Sequence, residues 1–98
     1  MALRIKDGID LKELEKFGFK YCSNPQFMEL SSIYSDLSDI SFDIKDRIID
    51  INLESTSINC HDIEQLDEDY ENITNSYRYF KKKIEELIEL GLVEKESD

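Results

Sequence analysis

The pattern of apolar positions is clearest in the last third of the chain, between Tyr70 and Leu92. Apolar side chains recur there at alternating steps of three and four residues, at Tyr70, Ile73, Tyr77, Phe80, Ile84 and Leu87, with Ile88 beside them. This period places them along one side of an α-helix. Gly91 is suited to end the helix, and Leu92 is expected to fold back as in a Schellman motif. We therefore predict a helix from Tyr70 to Leu90, about 32 Å long.

A shorter helix is predicted near the start of the chain, after a strand over residues 3–6. Asp10 is a typical N-cap residue, and Glu13 lies three residues later, where it would complete a capping box. Leu11, Leu14 and Phe17 would form the buried side, and Gly18 would end the helix. A helix this short needs tertiary packing to be stable.

Alternation of apolar and polar residues replaces the helical pattern in the middle of the chain, and it is strongest from Ile40 to Leu53. This alternation predicts a hairpin that turns at Lys45-Asp46, or over a four-residue loop that keeps the same cross-strand pairs. It pairs Phe42 with Ile49 and Ile40 with Ile51, so that these apolar residues share one face. The same register places five polar residues on the opposite face: Asp39, Ser41, Asp43, Asp50 and Asn52.

Two further strands are predicted before this hairpin. In the first, over residues 19–22, Phe19 and Tyr21 alternate with Lys20 and Cys22, and Ser23-Asn24-Pro25 forms the turn after it. The second lies within residues 26–34, and a five-residue loop over residues 35–39 would place Leu30 and Tyr34 on the inner face.

Signals are mixed between the hairpin and the long helix, over residues 54–69. The stripe of apolar positions can be traced back through Ile63 and Leu66, which would lengthen the helix to about 42 Å. Such a helix would be longer than the domain, so we favour a break near Asp67-Glu68-Asp69.

Together these elements predict an α+β fold in a single domain over residues 1–98. It would consist of a short N-terminal helix, an antiparallel meander of three to four strands, and a long C-terminal helix packed across the sheet. The 98 residues, 40% of them hydrophobic, suffice for one core. The N-terminal segment lacks the apolar run of a signal peptide, so a cytoplasmic protein with reduced Cys22 and Cys60 is expected.

The charge of the chain is strongly negative and unevenly distributed. The net charge is −11, and residues 21–76, which hold two basic and thirteen acidic side chains, carry the whole excess. This excess argues against direct binding to nucleic acid or to anionic membranes and favours a basic partner. The outer sheet face could imitate a nucleic-acid backbone, although a merely solvated face is the alternative. The predicted partner-binding residues are Asp36, Asp39, Asp43, Asp46, Ile48, Asp50, Asp62, Glu64, Asp67, Glu68 and Asp69.

Other candidate chemistry is weak. Cys60-His61 lies near acidic residues, but no CxxC or HxxxH spacing supports a metal site, and no cofactor motif is present. The sequence contains no nucleophile with a recognisable base beside it, so no motif suggests an enzyme. The segment from Tyr77 to Lys83 mixes basic and aromatic residues. On a helix, however, Tyr77 and Phe80 would face the core, Lys81 and Lys82 could pair with Glu85 and Glu86, and Tyr79 would stay outside.

Three segments, IKDGIDLKELEKFGFKY, DIKDRIIDIN and IEELIELGLVEK, resemble small uncharacterised acidic proteins encoded by phages and prophages of low-GC Gram-positive bacteria. The resemblance implies a fold and a genetic setting, but no active site. Small acidic phage proteins are often inhibitors of host nucleic-acid enzymes, anti-CRISPR proteins among them. The leading hypothesis is therefore a non-enzymatic inhibitor that binds a basic groove of a bacterial nucleic-acid-handling protein, such as a CRISPR effector, nuclease or polymerase. The alternative is a phage structural or assembly protein that forms a homodimer through the stripe from Ile63 to Leu87.

Overall fold

The computed structural model describes residues 3–34, 37–53 and 75–95. The helices in these ranges are α1 (Leu11–Phe17) and α2 (Asn75–Glu89). The strands are β1 (Leu3–Ile5), β2 (Lys20–Tyr21), β3 (Phe27–Ser31), β4 (Asp39–Asp43), β5 (Ile49–Asn52) and β6 (Val93–Lys95). One antiparallel sheet has the order β2-β3-β4-β5, and a second pairs β1 with β6. The predicted α+β class is confirmed.

The ends of α1 follow from its flanking residues. The Asp10 carboxylate accepts a hydrogen bond from the backbone N–H of Lys12 at 3.0 Å. This N–H group is one of those in the first turn that have no partner within the helix. The expected capping box is wrong in detail, because Glu13 instead pairs with Lys16 at 3.3 Å. At the other end, Gly18 has φ 128°, and the N–H of Phe19 donates to the carbonyl of Leu14.

The long helix α2 ends as predicted. Gly91 adopts φ 74°, the N–H of Leu92 donates to the carbonyl of Leu87, and the N–H of Gly91 donates to that of Ile88. These two hydrogen bonds make a Schellman motif. Ile88 itself is 43% exposed and does not extend the buried stripe. The predicted helix start at residues 70–74 and the predicted break near Asp67 lie outside the described residues.

The register of the predicted hairpin is confirmed between β4 and β5. Phe42 pairs with Ile49 and Ile40 pairs with Ile51, and all four side chains are buried. Residues 44–48 lie between the two strands, and the observed pairs are those that the four-residue loop predicted. Arg47 takes the left-handed conformation there, with φ 63°.

The predicted position of Tyr34 is wrong. In β3 the inward residues are Met28 and Leu30, which pair with Phe42 and Ile40, whereas Tyr34 is 58% exposed. The connection to β4 begins earlier than expected, because the N–H of Ser32 donates to the carbonyl of Ser38. With this hydrogen bond, the pairing of β3 with β4 is shifted by four residues from the predicted register, and Tyr34 lies in the loop. The predicted turn after β2 is confirmed, with the N–H of Phe27 donating to Asn24.

Strand β6 was not predicted, and it gives β1 its partner. Ile5 pairs with Val93 and Leu3 with Lys95. On its other side β1 approaches the hairpin through a single bridge between Arg4 and Ile48. The two sheets are therefore linked next to the β4–β5 turn.

The core lies between the inner sheet face and the helices. The α2 residues Tyr77, Phe80, Ile84 and Leu87 belong to one buried cluster with the apolar residues of β3, β4 and β5. Near the start of α2, the hydroxyls of Ser32 and Ser76 share a buried hydrogen bond of 2.8 Å. It fixes the start of the described helix against the end of β3, and both polar groups are thereby satisfied.

Candidate functional site

The outer face of the four-stranded sheet carries its side chains in rows that run across the strands. One row contains Phe27 on β3, its partner Asp43 on β4, and Ile48, which the hairpin register places opposite Asp43. The next row contains Glu29, Ser41 and Asp50. The last contains Ser31, Asp39 and Asn52. Neighbouring rows are about 7 Å apart along each strand. The predicted face of Asp39, Ser41, Asp43, Asp50 and Asn52 is confirmed, and we call it the acidic face.

Asp43 lies at the end of β4 with both carboxylate oxygens engaged. Oδ1 accepts from the backbone N–H of Lys45 at 2.7 Å, and Oδ2 accepts from the Gln26 amide at 2.8 Å. The backbone hydrogen bond from Lys45 is the main reason why the pKa of Asp43 is lowered. Burial is the next largest effect and opposes it, and the Gln26 amide lowers the pKa further. The side chain therefore remains negatively charged in mildly acidic solution.

The carboxylates of the acidic face are half-buried rather than fully exposed, which differs from expectation. Asp39, Asp43 and Asp50 are all intermediate in exposure. Asp39 accepts a hydrogen bond of 2.8 Å from the Asn52 amide on the neighbouring strand. Because these contacts hold the carboxylates in place, a partner would meet charges in fixed positions. Replacing one of these aspartates with lysine would break such contacts and would therefore disturb the sheet more than the same change at an exposed site.

Four of the predicted binding residues meet at one end of the acidic face. Asp43, Asp46, Ile48 and Asp50 line a depression of about 310 Å³ together with Phe27. Asp46 lies in the turn, where its Oδ1 accepts from the N–H of Ile48 at 2.9 Å. Phe27 is 37% exposed. The depression thus combines two apolar side chains with three carboxylates.

Sequence reasoning missed Phe27 and Glu29 as members of this surface. Both lie on β3, whose register was predicted wrongly. The alternation of residues 27–31, with Met28 and Leu30 inward, was the signal that could have identified them. Glu29 adds a fourth carboxylate to the rows of β3, β4 and β5.

Two cations lie at the borders of the acidic face. Lys20 is the cross-strand partner of Glu29 on β2. Arg4 adjoins Ile48, and its guanidinium donates to the Asp7 carboxylate at 2.6 Å and to the Asp46 carbonyl at 3.2 Å. The hydrogen bond from Arg4 is the main reason why the pKa of Asp7 is lowered. These cations border the negative surface on its two sides, one on β2 and the other next to Ile48.

The remaining predicted binding residues lie outside the described residues: Asp36, Asp62, Glu64, Asp67, Glu68 and Asp69. The structure therefore brings together four predicted residues at the depression, with Asp39 at the far end of the same face. Cys60 and His61 are likewise outside the described residues.

The basic segment of α2 behaves largely as a structural element. Tyr77 and Phe80 are buried as predicted. Tyr79 is half-buried rather than outside, and its ring packs edge-on against Tyr34 at a centroid distance of 6.1 Å. Lys83 lies 5.4 Å from the centre of the Tyr79 ring and 3.7 Å from the Glu86 carboxylate. Glu86 is therefore paired with Lys83, whereas the sequence suggested Lys82 as its partner.

Within the described part of the chain, no three His, Cys, Asp or Glu side chains converge as metal ligands would. Cys22 is half-buried, and burial, followed by the nearby Glu29 carboxylate, raises the pKa of its thiol. A raised pKa lowers the thiolate fraction at neutral pH, so this cysteine lacks the activation of a catalytic nucleophile.

Neither helix in the described ranges combines the length and apolar character that crossing a bilayer requires. No protein-family model matches the chain, and neither the curated proteins nor the solved structures contain a match.

Proposed function

We propose that the chain is a non-enzymatic inhibitor encoded by a phage, which uses its acidic face to occupy a basic nucleic-acid-binding groove of a bacterial protein. The observation that carries the proposal is the placement of Glu29, Asp39, Asp43 and Asp50 in adjacent rows of one sheet face. Regularly spaced carboxylates held by a rigid sheet can take the places of phosphates in such a groove. The proposed setting is the cytoplasm of an infected bacterium, with a CRISPR effector, nuclease or polymerase as partner.

The acidic face supports this function because its charges are preorganised. Asp39 and Asp43 are held by Asn52 and Gln26, so little conformational entropy is lost when a partner binds. The net charge of −11 attracts a basic partner over distance and speeds association at low salt. Fixed charges with long-range attraction are features of rapid, salt-sensitive recognition.

The decisive experiment identifies the partner and then removes the charge. Affinity capture from bacterial lysate with mass spectrometry is expected to recover a nucleic-acid-handling protein. The triple variant Asp39→Asn, Asp43→Asn, Asp50→Asn should then bind that partner about three- to 150-fold more weakly, from about 0.2–1 kcal/mol per charge. Asparagine keeps an oxygen acceptor at each position, so the sheet should be preserved.

A matched control removes the same charge elsewhere. Glu15, Glu85 and Glu89 are exposed and belong to α1 and α2, away from the acidic face. Replacing all three with Gln also changes the net charge by three units. We expect this control to bind nearly as tightly as the wild type, and nucleic acid to compete with the wild type. Equal losses in the two triple variants would show that only net charge matters and would refute the proposed face.

An assembly protein of the phage is the second candidate. Its original basis is weakened, because the stripe residues from Tyr77 to Leu87 are buried in the chain's own core. One observation still favours it: Leu90 is 63% exposed beside a groove of about 290 Å³ that Phe17 and Leu92 also line. A homodimer could use this groove. Sedimentation of the wild type and of Leu90→Ser would test it, since only a dimer at this groove would dissociate in the variant.

A further inference from the structure

The depression at the end of the acidic face has the composition of a socket for one long cationic side chain. Phe27 and Ile48 flank Asp43 in a single row across the sheet, so two apolar surfaces stand on either side of a carboxylate. Asp46 and Asp50 complete the lining. The volume of about 310 Å³ lies at the lower end of the range for ligand sites, which suits a side chain better than a whole cofactor.

The charge of the lining selects the occupant. Three of the five lining side chains are carboxylates, and none of the five is basic. The carboxylate of Asp43 is kept ionised by its hydrogen bonds from Lys45 and Gln26. The lining would therefore repel an anion, and it would be a poor environment for a purely apolar group. A cation with an apolar stem matches both parts of the lining.

Arginine fits this lining better than lysine. Its planar guanidinium stacks on aromatic faces and donates to several carboxylate oxygens at once, whereas an ammonium group remains strongly hydrated. The exposed part of the Phe27 ring supplies a surface for stacking, and Ile48 supplies contact for the methylene stem. The chain itself shows this chemistry at the end of the same row, where the Arg4 guanidinium donates to the Asp7 carboxylate and the Asp46 carbonyl.

We propose that the depression formed by Phe27, Asp43, Asp46, Ile48 and Asp50 receives an arginine side chain of the partner protein. This inference rests on the proposed function and adds a specific anchor to it. The wider acidic face supplies attraction without regard to the kind of cation, and the depression distinguishes arginine from lysine.

The test uses small probes and needs no identified partner. The ¹⁵N-labelled protein is titrated with N-acetyl-arginine methylamide and separately with the lysine analogue, and amide shifts are followed by NMR. Arginine is expected to give saturable shifts centred on Phe27 and Ile48, with an affinity about two- to five-fold above that of lysine, as expected for an exposed cation–π contact. Equal affinities, or shifts spread evenly over the acidic face, would overturn the inference.

Variants show whether the ring is responsible. Phe27→Leu should remove the preference for arginine, while Tyr21→Leu, which changes another exposed aromatic outside the depression, should keep it. If Phe27→Leu disturbs the sheet, Asp46→Asn serves instead, since asparagine can still accept from the N–H of Ile48. It should weaken both probes a few-fold, and unchanged binding would contradict the socket. If the preference for arginine is absent but partner binding still depends on the acidic face, the arginine site alone is rejected. If the triple variant binds the partner as tightly as the wild type, the proposed function is rejected.

Discussion

Leu87 offers the sharpest test of how α2 holds the fold together. Its side chain is fully buried, and its carbonyl accepts the hydrogen bond from Leu92 that ends the helix. Alanine preserves the backbone bond and the helix propensity, so Leu87→Ala removes little besides packing. Truncating a buried leucine costs about 2–5 kcal/mol. A domain of this size has about 5–15 kcal/mol in total, so a large part of its stability would be lost.

Urea unfolding followed by circular dichroism measures this loss, and thermal unfolding should show Tm lowered by at least about 8 °C. The control is Leu90→Ala, the same substitution three residues later at a side chain that is 63% exposed. It should cost within about 0.5 kcal/mol, as surface substitutions do. Equal costs at the two leucines would refute the assignment of the buried side of α2.

Three further predictions concern the backbone, acid and thiol chemistry. Gly91→Ala should cost about 1–2 kcal/mol in urea unfolding because φ is 74°, since a Cβ there meets only Lys6 Nζ, at 4.0 Å, and sterically adds little else. Gly8→Ala, in open space and without positive φ, should cost nothing. The lowered pKa of Asp43 means that its carboxylate stabilises the fold above the ordinary aspartate pKa of about 3.9 and loses this effect as pH falls through the folded-state value. Asp43→Asn should accordingly flatten the fall of stability on acidification below about pH 4, and an unchanged slope would contradict this. In a Cys60→Ser variant, Cys22 should react with iodoacetamide at pH 8 more slowly than N-acetylcysteine methylamide does, because burial raises the pKa of its thiol, and reductant should leave the Tm of the wild type unchanged.

The elements that sequence reasoning predicted correctly are those whose apolar period is local. The register of β4 and β5 followed from the alternation of Phe42 and Ile49 with polar neighbours, since only one parity buries every apolar side chain. The Schellman motif followed from Gly91 and its neighbours for the same reason. Both features depend on residues close together in the chain.

One error arose where distant parts of the chain meet, and another arose in the length of the loop between two neighbouring strands. Strand β6 has only three residues, and its partner lies 90 positions earlier, so no local pattern marks it. The register of β3 depends on the hydrogen bond between Ser32 and Ser38, which loop composition does not reveal. Of the candidate site, the outward carboxylates of the hairpin were predictable. The rows that Phe27 and Glu29 join depend on the register that was predicted wrongly, whereas their outward direction follows from the alternation with Met28 and Leu30.

The pairing of β1 with β6 sets the order in which the protein can be completed during synthesis. Leu3–Ile5 leave the ribosome before Val93–Lys95, which follow about 90 residues later, a delay of roughly 5–20 seconds at typical rates of synthesis. During this delay, Leu3 and Ile5 lack the strand that later covers the edge of β1. The β4–β5 hairpin pairs residues that are close together in the chain, whereas the two-stranded sheet must wait for β6. A ribosome stalled before residue 93 would therefore display an uncovered apolar edge, which is a substrate for chaperones and proteases.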